Sequence, residues 1–270
     1  MQALSLFSPV LRPLGVDLFC LGKKFLVYNL VGRNLKVKYR RSVFGLFWTL
    51  LAPLAMALVF YVVFCKILAI NIPHYLPFIL CGVIPFNFFS QTIIEGMESI
   101  VGNWGIASKV PVQLQIFPYV GALTNLVTLI LSIPILIGAS LLSHISLGSS
   151  LLLLPFYFLA IFAIAYGFSL LLAIGFILFR DLRHIMVIVM QIWFYSTPVI
   201  YSDDMIPSKL RWILHVNPVG NVFVGIRKIL IEGVWPSSET TLVTAGWTIA
   251  IVFLSAFVYR KVGKTVVEQI

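Results

Sequence analysis

Residues 35–64, LKVKYRRSVFGLFWTLLAPLAMALVFYVVF, run a basic cluster directly into an apolar tract. From Ser42 no charged side chain occurs until Lys66. Crossing a bilayer takes about 20 residues at about 1.5 Å rise each, so the tract is long enough. Hydrocarbon offers backbone amides no water, and a single apolar segment satisfies them there only as a helix. The flanking Lys36, Lys38, Arg40 and Arg41 tend to stay on the cytoplasmic side. One segment thus predicts both a membrane-spanning helix and its direction.

The rest of the chain obeys the same constraint. Hydrophobic residues make up 60% and charged residues 10% of it, against about 25% charged in soluble domains. Lipid must therefore solvate most of the surface, and the fold class expected is an all-α polytopic membrane protein. Six spans are expected, at about 44–68, 76–94, 117–142, 150–179, 185–201 and 242–259, the fifth being short. The organisation expected is an N-terminal segment over 1–43, a transmembrane domain over 44–260 and a tail over 261–270.

The connections alternate in charge as an inside-start topology requires. Eight of the 19 basic residues precede Phe44, which makes the net charge of +10 a topology signal rather than a nucleic-acid surface. Inside would also lie Lys109, Arg180, Arg183, Arg260, Lys261 and Lys264, with both termini cytoplasmic. Outside would lie Lys209, Arg211, Arg227 and Lys228, offset by Asp203, Asp204, Glu232 and Glu239. Residues 1–17 lack the charged start, apolar centre and cleavage site of a signal peptide. Cys20, Cys65 and Cys81 form no motif and read as small packing residues.

Two regions fit neither span nor plain loop. In the arm, Asn29, Arg33, Lys36 and Arg40 recur at helical spacing, opposite Val27, Val31, Leu35 and Tyr39. This reads either as an amphipathic helix lying among the lipid headgroups or as a solvated basic tail. Between the last two spans, residues 206–216 and 222–231 are each too short to cross, and Asn217-Pro218 separates them. They read either as a re-entrant helix pair or as an ordinary external loop.

The residue inventory argues against catalysis. The four histidines are scattered, and no HExxH, GxSxG or CxxC occurs. Gly263-Lys264-Thr265 resembles the end of a phosphate loop, but Val258 stands where that loop needs glycine. No ATP site is expected in this chain. Glu95 and Glu98, at the inner end of the second span, read as paired with basic residues, the alternative being a proton relay. Aromatics cluster in the first and fifth spans. They offer either sliding platforms for sugar rings or ordinary packing and membrane girdles.

Four stretches then match something known. Residues 35–64, GNWGIASKVPVQLQIFP (102–118), FRDLRHIMVIVMQIWFYSTPVIY (179–201) and HVNPVGNVFVGIRKIL (215–230) occur in order. Together they resemble the permease subunits of bacterial polysaccharide ABC exporters, in the type-2 ABC transmembrane family. That family moves O-antigen, capsular polysaccharide and teichoic acid. The resemblance implies a homodimeric channel for a lipid-linked polysaccharide, docked on two separate ATP-binding subunits that hold the ATP and magnesium. It implies that Glu98, Asn103 and Lys109 lie in the segment coupled to the ATPase. It places Arg33, Lys36, Arg40 and Arg41 at the substrate's access point, Trp48, Tyr61, Trp193 and Tyr195 along the sugar path, and Asn217 and Pro218 in the external gate. The cell membrane expected is the bacterial cytoplasmic (inner) one. The competing readings are a type-2 permease for a drug or small lipid, an integral membrane glycan-modifying enzyme, and a proton-coupled transporter resting on Glu95 and Glu98.

Overall fold

The computed structural model describes residues 20–40, 42, 44–69, 73–109 and 112–267, with backbone alone for 21, 46 and 263–267. The described residues are helical, with no strand among them. The arm forms α1 (Lys24–Lys38). The apolar tract forms α2 (Trp48–Tyr61), prolonged by a π-helical turn over Val62–Ile67. Then come α3 (Tyr75–Gly102), α4 (Ile116–Leu142), α5 (Leu154–Leu178) and α6 (Leu182–Ser196). After a looped stretch, α7 (Gly220–Leu230) and α8 (Ser238–Val267) complete the chain.

Five helical segments among the described residues are long and apolar enough to cross a membrane: Trp48–Ile67, Tyr75–Gly102, Ile116–Leu142, Ser149–Leu178 and Ser238–Val262. The protein is therefore a multi-pass membrane protein. Helix α6 has 15 residues, about 22 Å of rise against a hydrocarbon core of about 30 Å. It stops at Ser196 because Thr197 is extended, with φ −98° and ψ 141°, as the residue before Pro198 prefers to be. The chain outruns expectation at the other end of the bundle. Helix α3 runs to Gly102 instead of ending near residue 94, so Glu95 and Glu98 sit on a helix.

Burial sorts the helices. Helices α3 and α5 pack on each other and form the centre, with α4 against α3 and α8 against α5. Their contact is close because a Cβ at Gly96 would collide with Ser169, and small residues let membrane helices approach. Helix α2 lies on α3 but is barely buried, showing Leu51, Met56, Leu58 and Val59 to the outside. Helix α6 likewise exposes Ile185, Val187, Ile188 and Ile192. Between α7 and α5, Gly225 leaves room for the Tyr157 ring, which a Cβ would strike. Cys20 and Cys81 are buried, and no disulfide joins any of the three cysteines.

Candidate functional site

At the arm end of the bundle, polar side chains from separate helices meet. The Lys38 ammonium of α1 lies 2.8 Å from a Glu95 oxygen on α3 and donates to Asn125 Oδ1 on α4 at 3.0 Å. Asn125 donates in turn to the second Glu95 oxygen at 3.0 Å. This closed triad ties the arm to two spans. Both charged members are partly exposed, so water screens the pair. Next to it, Arg33 donates to Asn103 Oδ1 at 2.6 Å, and Asn103 caps α3 by donating to the Ser99 carbonyl at 2.8 Å. Glu98 is 3.0 Å from the Arg183 guanidinium at the start of α6. Both acids therefore carry cationic partners.

The arm reads as a helix, and its stripe divides. Arg33 is drawn to Asn103, whereas Lys36 and Arg40 stay exposed beside a groove shared with Tyr28, Leu35 and Val127. Val27 and Leu30 turn inward, while Phe25 and Tyr28 remain outside. Lys109 is exposed beyond the short helix Trp104–Ala107. Arg41 lies outside the described residues.

The four aromatics singled out above do not converge. Trp48 is 48% exposed and meets Phe44 edge-on at 5.5 Å. Tyr195 is 56% exposed. Tyr61 is half-buried, with the Lys66 ammonium 6.0 Å from its ring. Trp193 points inward, edge-on to Phe89 at 5.1 Å and to Phe168 at 5.4 Å. A chain of rings, Phe60–Phe194–Phe86–Phe223, connects α2, α6, α3 and α7. Two of the four are thus open platforms and one is a packing residue.

At the loop end, the first expected short helix, 206–216, is broken into a 3-10 turn over Ser208–Leu210 and the five-residue helix Trp212–Val216. Asn217 behind it is buried and fully engaged. Its Oδ1 accepts from Trp193 Nε1 at 3.0 Å and from the Val219 amide at 3.1 Å, and its Nδ2 donates to Thr197 Oγ1 at 2.8 Å. The neighbouring Pro218 is half-buried. Asn217 thereby joins the end of α6 to the start of α7.

Arg227, counted above among the outside charges, is not a surface cation: it is 4% exposed on α7. Its guanidinium lies 3.7 Å from the centre of the Phe78 ring and donates to the Val199 and Tyr201 carbonyls. Burial draws its pKa down to about 10, with nearby Cys81 and Asp203 opposing, so it remains charged at neutral pH. No feature of composition marked it, since charge counting does not tell a clamp from a surface cation. Asn125 was missed for a related reason: a lone amide in an apolar run has no periodicity to announce it.

Comparison with known proteins agrees with this architecture. Two O-antigen export system permease proteins (RfbA) are similar along nearly the whole chain. The one from Klebsiella pneumoniae is 26% identical over 246 residues, covering 91% of this chain and 92% of that protein. The one from Myxococcus xanthus is 27% identical over 247 residues, covering 91% and 95%. The model of the ABC-2 type transporter family matches residues 26–231, from the arm through the clamp of Arg227. That match takes in α2 through α7, the polar clamps and the looped α6–α7 junction, and the chain belongs to the ABC-2 type transporter family.

Proposed function

We propose that this chain is the membrane-spanning subunit of an ATP-driven exporter that moves a lipid-linked polysaccharide, such as O-antigen, capsule or teichoic acid, across the bacterial inner membrane. The observation that carries the reading is similarity to O-antigen export permeases over nine-tenths of both chains. In this reading two copies of the chain form the channel and two ATP-binding subunits drive it, holding the ATP and magnesium. In it the apolar faces of α2 and α6, poorly covered within one chain, meet the second copy and lipid. Helix α6 counts as the fifth of six spans, the Trp212–Val216 and Gly220–Leu230 pair as re-entrant, and both termini as cytoplasmic.

The side chains then take the following parts. The α3 end with Glu98 and Asn103, continuing to Lys109, receives the push of the ATPase, and Glu98–Arg183 passes it to α6. Arg33, Lys36, Arg40 and Arg41 attract the anionic headgroup of the lipid carrier near the membrane surface. Trp48, Tyr61, Trp193 and Tyr195 border the sugar path, with Trp48 and Tyr195 exposed enough to touch the polymer. Trp193 serves by holding Asn217, and Asn217 with Pro218 forms the external gate. A glycan chain needs a conduit that grips weakly, so that repeat units slide, and ring faces supply such contact without fixed charge.

Deleting the gene tests the reading. Lipid-linked polymer should accumulate inside the cell and disappear from its surface. Normal surface polymer in a strain with no second exporter would refute it, and a lost drug-efflux or lipid phenotype would point to the small-molecule permease. Trp48→Ala should lower export while the chain still accumulates in the membrane.

A further inference from the structure

A cleft of about 310 Å³ opens between α2, α3 and α4, and its lining is wrong for lipid. Asn87 and Gln91 sit one turn apart in the middle third of α3 and face it together with Thr128 and Ser132 from the middle third of α4. Trp48 and Thr49 close it from α2. Gln91 is exposed and Asn87 half-exposed, and neither side chain makes a hydrogen bond among the described residues. A primary amide left bare against hydrocarbon is strongly disfavoured. Two of them, at mid-span on one face, mark a surface that meets water or a polar ligand.

The donors and acceptors narrow the ligand. The Thr128 hydroxyl donates to the Asn125 carbonyl and the Ser132 hydroxyl to the Thr128 carbonyl, which leaves their oxygens as acceptors. Asn87 and Gln91 offer both donors and acceptors. Among the described residues that line the cleft Lys38 is the one cation, and it is already committed to Glu95 and Asn125. Mixed neutral donors and acceptors beside an exposed indole suit a polyhydroxyl chain, and among the described lining residues a phosphate would find no free cation. We propose that this cleft is a sugar-binding subsite of the conduit wall, in which Asn87 and Gln91 hydrogen-bond hydroxyl groups of the passing polymer against Trp48. The proposal rests on the polysaccharide-export reading and adds to it a site and its chemistry.

The test uses the full chain in its native membrane. Gln91→Cys should react with a membrane-impermeant maleimide above the signal of the parent chain. Asn87→Leu and Gln91→Leu should each lower surface polymer about fivefold, the factor a neutral hydrogen bond of ordinary net strength makes, with unchanged chain abundance. Gln91→Asn, which keeps the amide, should restore most of it. A lipid-facing position predicts the opposite, since leucine suits hydrocarbon better than glutamine. An unreactive Gln91→Cys in a strain whose polymer export depends on this gene overturns the subsite and leaves the export reading standing. So does reactivity with full export in Gln91→Leu, whose exposed side chain gives no cause for misfolding. If deletion of the gene leaves surface polymer intact, the export reading fails and the subsite falls with it.

Discussion

Replacing Arg227 by methionine removes a charge that three parts of the chain share. The guanidinium bonds the carbonyls of Val199 and Tyr201 and covers Phe78. Hydrogen bonds to a charged group contribute about 1.5–3 kcal/mol each, and a desolvated cation over a ring about 2 kcal/mol. Against these gains stands the several kcal/mol cost of burying the ion, which methionine does not incur. Those terms largely offset one another. What remains uncompensated is two carbonyls without donors, at about 1–3 kcal/mol each, so Arg227→Met should destabilise the protein by about 2–6 kcal/mol. Arg227→Lys keeps the charge but loses the planar fork that reaches both carbonyls, and its melting point should fall between parent and Arg227→Met. The assay is thermal unfolding in detergent at fixed protein concentration, read alongside export in cells. A methionine variant that melts with the parent would refute the clamp.

Two other contacts give sharp outcomes. Trp193→Phe keeps a ring against Phe89 and Phe168 but removes the donor to Asn217, so it should cost about 1 kcal/mol. Asn217→Ala removes every bond of that node and should cost more, and a double-mutant cycle should return about 1 kcal/mol of coupling between the two sites. Additive losses would show that the indole nitrogen does not engage Asn217. Gly225→Ala pushes a methyl into the Tyr157 ring and should destabilise by about 1–3 kcal/mol through overpacking; an unchanged melting point would mean α7 does not seat on α5 at that distance.

The sequence made the long helices legible because one physical demand, backbone satisfaction in lipid, acts on every residue of an apolar run. Helices α2, α4 and α5 accordingly begin and end near the expected places, whereas α8 (Ser238–Val267) overruns the expected 242–259 at both ends. Boundaries failed where a tertiary partner overruled composition. Glu95 and Glu98 looked like the end of a span, yet Lys38 and Arg183 neutralise them and α3 continues to Gly102. The expected fifth span runs through Thr197-Pro198, where helix is disfavoured before proline, and α6 stops at Ser196. The site was legible only in part. Trp48 and Tyr195 are exposed, but the inward turn of Trp193 and the burial of Arg227 depend on neighbours more than twenty residues away. Periodicity carries no trace of such partners.

The clamps on α6 also set how the bundle is able to deform. One end of the helix is held to α3 by Arg183–Glu98. Past the other end, the backbone at Val199 and Tyr201 is held through Arg227 to Phe78 of that same α3. Tilting or sliding one rod along the other therefore breaks a fastening, whereas carrying both together breaks none. In the language of linkages, α3 and α6 form the fixed frame. Helix α2, kinkable at Pro53 and at its π-helical turn and seated on that frame largely through apolar contact, is the leaf of the hinge.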